Sequence, residues 1–226
     1  MDIYRINTIE ELLADNTYPG RGIIIGKTPD GTKAMTAYFI MGRSDNSRNR
    51  IFTEKNGEVF TEPFDASKVQ DPSLIIYAAI RQYENNLIVT NGNQTDTIFD
   101  GLKDGKCFSC ALESREFEPD GPNFTPRISA IVHPDGSFDL SILKHQASGR
   151  CLREFFCYEG ADEGQGFFIS TYEGDGNPLP TFSGEPVEVA MCEPDEVWAA
   201  LDADNKVSLY ANVNGEVTLY NKHLGD

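Results

Sequence analysis

The sequence predicts an α+β protein with paired β-hairpins at its centre and helices outside them. Three observations carry this. Turn signals at Pro29-Asp30-Gly31, His133-Pro134-Asp135-Gly136 and Asn214-Gly215 each separate two apolar or alternating segments, the pattern of hairpins. Segments of helical character lie between those hairpins, and no internal repeat, low-complexity tract or linker breaks the chain. With 226 residues, 39 % of them apolar, the chain is long and apolar enough for one large domain with a real core.

The elements follow in order. Thr8-Ile9-Glu10-Glu11 is a capping box, so a short helix is expected from Ile9 to about Asp15. Tyr18-Pro19-Gly20-Arg21 leads into a strand over Gly22 to Gly26, and Ala34 to Met41 is the returning strand. Asp71-Pro72 is expected to start a helix, because Leu74, Ile75, Tyr77, Ala78 and Ile80 recur at helical spacing. Leu87 to Thr90 is a strand, and Asn91 to Thr95 turns into a helix ending near Ala111. Thr125 to Val132 and Ser137 to Leu143 form a second hairpin. A strand near Phe167 to Tyr172, a helix near Asp195 to Leu201 and a closing hairpin at Asn214-Gly215 complete the chain.

The formal charge is −17, and a surface of that sign repels nucleic-acid backbones and anionic membranes, so neither is an expected partner. The longest apolar run, Leu74 to Ile80, is too short to span a bilayer, and no cationic-then-apolar leader is visible at the start. Five cysteines without a regular framework fit reduced thiols in a cytosol. From Tyr158 to Asn205 there are twelve Asp or Glu and no Lys or Arg, a solvated acidic face on the plain reading. Against that background, Arg43, Arg48 and Arg50 crowd three of the ten arginines into eight residues. Guanidinium forks suit phosphate or carboxylate, and the segment reads either as an anion site or as a surface salt-bridge cluster.

Familiar catalytic patterns are missing. Gly22 to Thr28 imitates a phosphate loop, but Arg21 stands where its first glycine belongs and Pro29-Asp30-Gly31 replaces its helix. Cys107-Phe108-Ser109-Cys110 is a lone CxxC placed within or after a helix, read as buried thiols. No zinc or other metal site is expected, no serine sits in a nucleophile elbow, and Asp2 cannot serve as an N-terminal nucleophile. Any enzyme here would work without a covalent intermediate. What remains is polar clusters at element ends. Asn91 to Thr97 could offer free N–H groups and amides to an anion or planar heterocycle, or could be an ordinary capped turn. Glu118, Asp120 and Thr125-Pro126-Arg127 are equally open, and Tyr77 on an apolar stripe reads as core.

Six motifs in one order carry a resemblance. They are Tyr18-x-Gly20-Arg21; Arg43-Ser44 with Asn49-Arg50; Asp71-Pro72 with Tyr77; Thr90-Asn91-Gly92 with Thr95-Asp96-Thr97-Ile98; Thr125-Pro126-Arg127-Ile128; and Ile169 to Glu173. In this the chain resembles the archaeal-type IMP cyclohydrolases, well over Tyr18 to Glu173 and loosely beyond. The resemblance implies the four-layer α/β/β/α sandwich of N-terminal-nucleophile hydrolases, used without self-processing. On that reading residues 1–17 are an added extension, a short helix, before a single domain over 18–226.

The resemblance also implies the reaction: closure of 5-formamidoimidazole-4-carboxamide ribotide (FAICAR) to the purine ribonucleotide IMP with loss of water, in a cytoplasmic enzyme needing no cofactor and no metal. The nucleophile then belongs to the substrate, so the enzyme has to align two groups, stabilise an oxyanion and move protons. By the resemblance the catalytic residues are Arg50, Tyr77, Asn91 and Glu118, with Glu118 needing a raised pKa to act as an acid. Substrate binding falls to Arg21, Arg43, Ser44, Asn49, Gly92, Thr95, Asp96, Thr125 and Arg127. The archaeal relatives suggest homo-oligomerisation. The alternatives are an amide or cyclic-amidine hydrolase on the same scaffold, or a non-catalytic nucleotide-binding protein.

Overall fold

The computed structural model describes residues 5–69 and 76–226. Among them, two seven-stranded sheets carry the architecture. The first is built from β1 (Asn7–Thr8), β2 (Arg21–Lys27), β3 (Ala34–Met41), β11 (Gln165–Ser170), β12 (Val187–Ala190), β13 (Lys206–Val213) and β14 (Glu216–Asn221), in the order β1-β12-β11-β2-β3-β13-β14. The second runs β10-β9-β8-β7-β6-β5-β4, with β4 (Ile51–Lys55), β5 (Glu58–Glu62), β6 (Tyr77–Tyr83), β7 (Asn86–Thr90), β8 (Arg127–Val132), β9 (Phe138–His145) and β10 (Cys151–Tyr158). Every pairing between neighbours is antiparallel except β1 with β12. The helices are α1 (Ile9–Asp15), α2 (Asp45–Arg48), α3 (Gln94–Lys103), α4 (Phe108–Leu112) and α5 (Pro194–Ala200).

Strand chemistry explains the layering. In β2, Ile23 and Ile25 point into the core between the sheets, whereas Ile24 points the other way, onto α1 and α5. Side chains alternate along a strand, so a strand buried on both faces reads as an unbroken apolar run. The second sheet repeats the logic: Val89, Ile128 and Ala130 join the central core, while Ile88 and Ile131 meet α3 and α4 through Ile98, Phe108 and Leu112. Each sheet thus has one face on its partner sheet and one under helices, and the predicted α+β class holds.

The capping box at Thr8 and Glu11 closes α1 as expected, and the hairpins at residues 22–41, 127–145 and 206–221 form around their predicted turns. Three expectations are corrected. Tyr77, Ala78 and Ile80 lie on strand β6, paired with β5 and β7, and not on a helix; its expected start, Asp71 to Ile75, lies outside the described residues. A short apolar run fits either state, and cross-strand pairing decides it here. The helix expected to reach Ala111 is two helices, α3 and α4, separated at Asp104-Gly105, where Gly105 takes φ +77°. The Cys107 and Cys110 thiols, read as buried, are both exposed; the pair does lie after one helix and within the next, with Cys107 capping α4.

At one margin the two sheets are joined by a side chain. Asn221, the last residue of β14, accepts from Phe52 N–H on edge strand β4 (2.7 Å) and donates to Phe52 C=O (3.1 Å).

Candidate active site

The ends of many strands open at the same edge of the sandwich. Arg21 begins β2, Met41 ends β3, Tyr77 begins β6, Thr90 ends β7, Arg127 begins β8 and Ser170 ends β11. Antiparallel registers bring these ends together: Arg21 is opposite Ile40, Ser170 opposite Gly22, and Thr90 opposite Ser129.

A polar cluster sits at the floor of this edge. Arg50 is only 1 % exposed, and its guanidinium donates to Ser47 C=O (2.7 Å) and Met41 C=O (3.0 Å). A guanidinium has five donors, so this anchoring leaves part of the fork free. Burial and the nearby Arg21 cation press the Arg50 pKa below its usual value. The Tyr77 and Tyr38 hydroxyls share a buried hydrogen bond of 3.1 Å, and burial together with Tyr77 raises the Tyr38 phenol well above its ordinary range. Glu118 is buried, with Oε1 3.7 Å from Arg127 NH1. Burial raises its pKa, against the opposing pull of Arg21 and Arg127.

Asn91 spans β7 and β8: Nδ2 donates to Pro126 C=O (2.8 Å), and Oδ1 accepts from Ile128 N–H (2.9 Å) and Gln94 (2.9 Å). One amide hydrogen of Asn91 is left over. Gln94, fully buried, in turn accepts from Arg127 NH1 at 2.7 Å. Gly92 lies beneath this group. A Cβ there would meet Arg127 Nη1 at 2.5 Å, Gln94 Oε1 at 2.7 Å and Glu118 Oε1 at 3.2 Å, so any side chain would displace these three groups.

Outside the cluster lies a cleft of about 260 Å³ lined by Tyr18, Arg21, Arg43, Ser44, Thr125 and Tyr172, among others. Half-buried Arg21 is shared by cleft and floor. Burial opposes its charge, but the facing Tyr18 and Glu118 outweigh this and hold it cationic. Its Nε is buried without a hydrogen-bond partner among the described residues, which suits an incoming anion. Arg43 lies over the Tyr18 ring, pairs with Asp175 and donates to Gly176 C=O. Thr125 is oriented by Asp120, which takes both its N–H and its hydroxyl, and it shares a 2.6 Å bond with the Tyr172 hydroxyl. Gly42 allows the α2 turn to approach; a Cβ there would strike Ser47 backbone at 2.6 Å.

Of the residues expected in the site, Arg21, Arg50, Tyr77, Asn91, Gly92, Glu118 and Arg127 gather at the floor, and Arg43, Ser44 and Thr125 line the cleft. Asn49 faces away and clamps Asp65, donating to its C=O and accepting from its N–H at 2.8 Å each. Thr95 spends its hydroxyl inside the turn on Thr90 (2.6 Å) and Gly92 C=O (3.0 Å). Asp96 stands apart in an exposed pair with Arg81. Sequence reasoning missed Tyr38, left Asp120 open, and passed over Gln94 and Tyr172 inside the Asn91–Thr97 and Ile169–Glu173 segments without giving them a place in the site. A tyrosine in an apolar strand, such as Tyr38, looks like core, whereas the other three stood in polar or motif segments that carried a legible signal.

A guanidinium-lined cleft over a buried carboxyl and a phenol pair is the arrangement that acid–base chemistry on a small anionic molecule calls for, here held on an α+β scaffold. The chain belongs to the IMP cyclohydrolase-like protein family, which it matches over residues 18–217. It is 30 % identical over 186 residues to a protein named IMP cyclohydrolase from Methanopyrus kandleri, covering 78 % of this chain and 87 % of that one. Proteins of the same name from Methanothrix thermoacetophila (29 %; 70 % and 76 % covered) and Methanocaldococcus jannaschii (26 %; 76 % and 82 % covered) are also similar. Among the described residues no helix is long and apolar enough to cross a membrane.

Proposed function

We propose that the protein is an IMP cyclohydrolase, closing 5-formamidoimidazole-4-carboxamide ribotide to IMP with loss of water in purine nucleotide biosynthesis. The observation that carries this reading is the convergence of Arg50, Tyr77 and a buried Glu118 of raised pKa beside a cationic cleft. Family membership supplies the substrate. The layered scaffold, two sheets under helices, is of the kind expected for N-terminal-nucleophile hydrolases, here used without self-processing. Residues 18–226 form the catalytic domain, and residues 1–17 are an added element whose helix α1 packs Ile9 and Leu13 onto the first sheet.

In this reaction the substrate's carboxamide nitrogen attacks its own formyl carbon. A C–N bond forms, and the formyl oxygen becomes first an oxyanion and then a hydroxyl. Loss of that hydroxyl as water, with a proton from the former formamido nitrogen, completes the ring. The free part of the Arg50 fork and the remaining Asn91 amide hydrogen stabilise the oxyanion. Glu118, its pKa raised by burial, is suited to protonate the departing oxygen, and Tyr77, hydrogen-bonded to Tyr38, relays the second proton. Arg21 and Arg43 hold the phosphate at the cleft, and Arg127 holds Glu118 in place. Positioning contributes as well, since effective molarities of aligned groups reach about 10⁵–10⁸ M.

The test is incubation of pure protein with the formylated ribotide while purine-ring absorbance is followed. Turnover to IMP is expected. Binding of IMP without turnover would instead mark a non-catalytic nucleotide-binding protein, and neither turnover nor binding would mark a hydrolase of another amide or amidine.

A further inference from the structure

The outer helices carry a dithiol that the cyclisation chemistry does not use. Cys107 and Cys110 are both exposed and both reduced. Cys107 is the N-cap of α4 in extended conformation, and its sulfur accepts from Cys110 N–H at 3.2 Å and contacts the Ser109 hydroxyl at 3.3 Å. Residues three apart on one turn face each other, which puts the two thiols side by side. No third His, Cys, Asp or Glu joins them in a metal-binding group among the described residues, so the pair suits sulfur exchange better than a metal.

We propose that Cys107 and Cys110 form a thiol–disulfide exchange site, with Cys107 as attacking and Cys110 as resolving sulfur, taking a low-molecular-weight disulfide as oxidant. The two sulfurs are unequal. The neighbouring Cys110 thiol, the Ser109 hydroxyl and the Cys110 N–H favour the Cys107 thiolate and bring it down to about 7, whereas Cys110 is raised, first by its bond to Cys107. The Cys107 thiolate attacks one sulfur of the oxidant, forming a mixed disulfide and releasing one thiolate. Cys110 then loses its proton to solvent and attacks Cys107 Sγ, releasing the second thiolate. The protein dithiol is oxidised to a disulfide, and the oxidant is reduced to two thiols. The pair stands on the helix side of the second sheet, beside the Phe108–Leu112 cluster and away from the inter-sheet core, so exchange proceeds without occupying the cleft.

Cys157 is the internal reference, since it is exposed in the same chain but raised by Asp139. Reduced full-length protein is equilibrated in mixtures of reduced and oxidised glutathione, acid-quenched, alkylated and mapped by peptide mass spectrometry. A Cys107–Cys110 disulfide is expected to accumulate as the mixture becomes more oxidising. Cys110→Ser should hold glutathione on Cys107, whereas Cys107→Ser should leave Cys110 free. In the reduced protein at neutral pH, Cys107 should alkylate about tenfold faster than Cys157. Equal alkylation rates, or a lasting glutathione adduct on wild-type Cys107 without the internal disulfide, would overturn the assignment.

Discussion

Glu118 Oε1 lies 3.7 Å from Arg127 NH1, yet the carboxyl pKa is raised, because burial outweighs the neighbouring cations. The two are therefore not a simple ion pair, and the carboxyl keeps proton affinity above the ordinary carboxylate range. The sign follows. A carboxyl with a raised folded pKa contributes stability that is present below its unfolded pKa and is lost as pH rises through the folded one. Glu118→Gln should flatten the loss of Tm as pH rises above the ordinary glutamate range. It should also abolish the alkaline limb that deprotonation of a general acid imposes on kcat. An unaltered kcat–pH profile in this variant would remove Glu118 from proton transfer.

Gly92→Ala tests how closely the floor is packed. Its Cβ would press on Arg127, Gln94 and Glu118 at once. Displacements of about 1 Å near a reacting group can cost about 10²-fold in rate. The expected outcome is a kcat/KM loss of that order with the far-ultraviolet spectrum retained.

Arg50→Ala should lower kcat by about 10²–10³, as for loss of an oxyanion donor. It also strips Met41 C=O of a buried partner, so a stability loss of about 1–3 kcal/mol should accompany it in urea unfolding. Arg50→Lys separates the two effects: it keeps the charge but not the planar fork, and rate should stay low. Wild-type turnover in either variant would exclude the proposed role.

Tyr77→Phe should cost about 10²-fold in kcat if the phenol carries a proton. Tyr38→Phe, which removes only the partner hydroxyl, should cost less and should shift the pH profile more than KM.

Asp96→Asn is the contrasting case. Its exposed pair with Arg81 is worth about 0–1 kcal/mol, and its carboxylate faces away from the floor, so steady-state kinetics should stay within about twofold of wild type.

Much of this was legible from local chemistry. The hairpins at Pro29-Asp30-Gly31 and Asn214-Gly215 and the Thr8 capping box announce themselves through turn and cap residues. Strands β4 and β5 were equally readable: Asn56-Gly57 at φ +57° and +80° is a hairpin turn between alternating segments, and it went unread beside the arginines. Tyr77 was not legible in the same way. Its spacing with Ala78 and Ile80 fits a helix, and only the pairing with Thr61 and its neighbours, from another part of the chain, makes it a strand. The site followed the same division. Motif order picked out Arg50, Tyr77 and Asn91, and Glu118 came from the resemblance outside any motif, whereas Tyr38 and Asp120 matter through contacts to residues 39 and five positions away respectively, and only the first of these distances in sequence hides a partner completely.

The bond pair between Asn221 and Phe52 has a consequence for crowding rather than for catalysis. An amide side chain there mimics the peptide of a missing neighbour and occupies hydrogen-bonding groups that edge strand β4 would otherwise offer to a stranger. Without that mimic, the open margin of the second sheet becomes a template on which another molecule's strand can add. One asparagine on the last strand thereby acts as a guard against self-association.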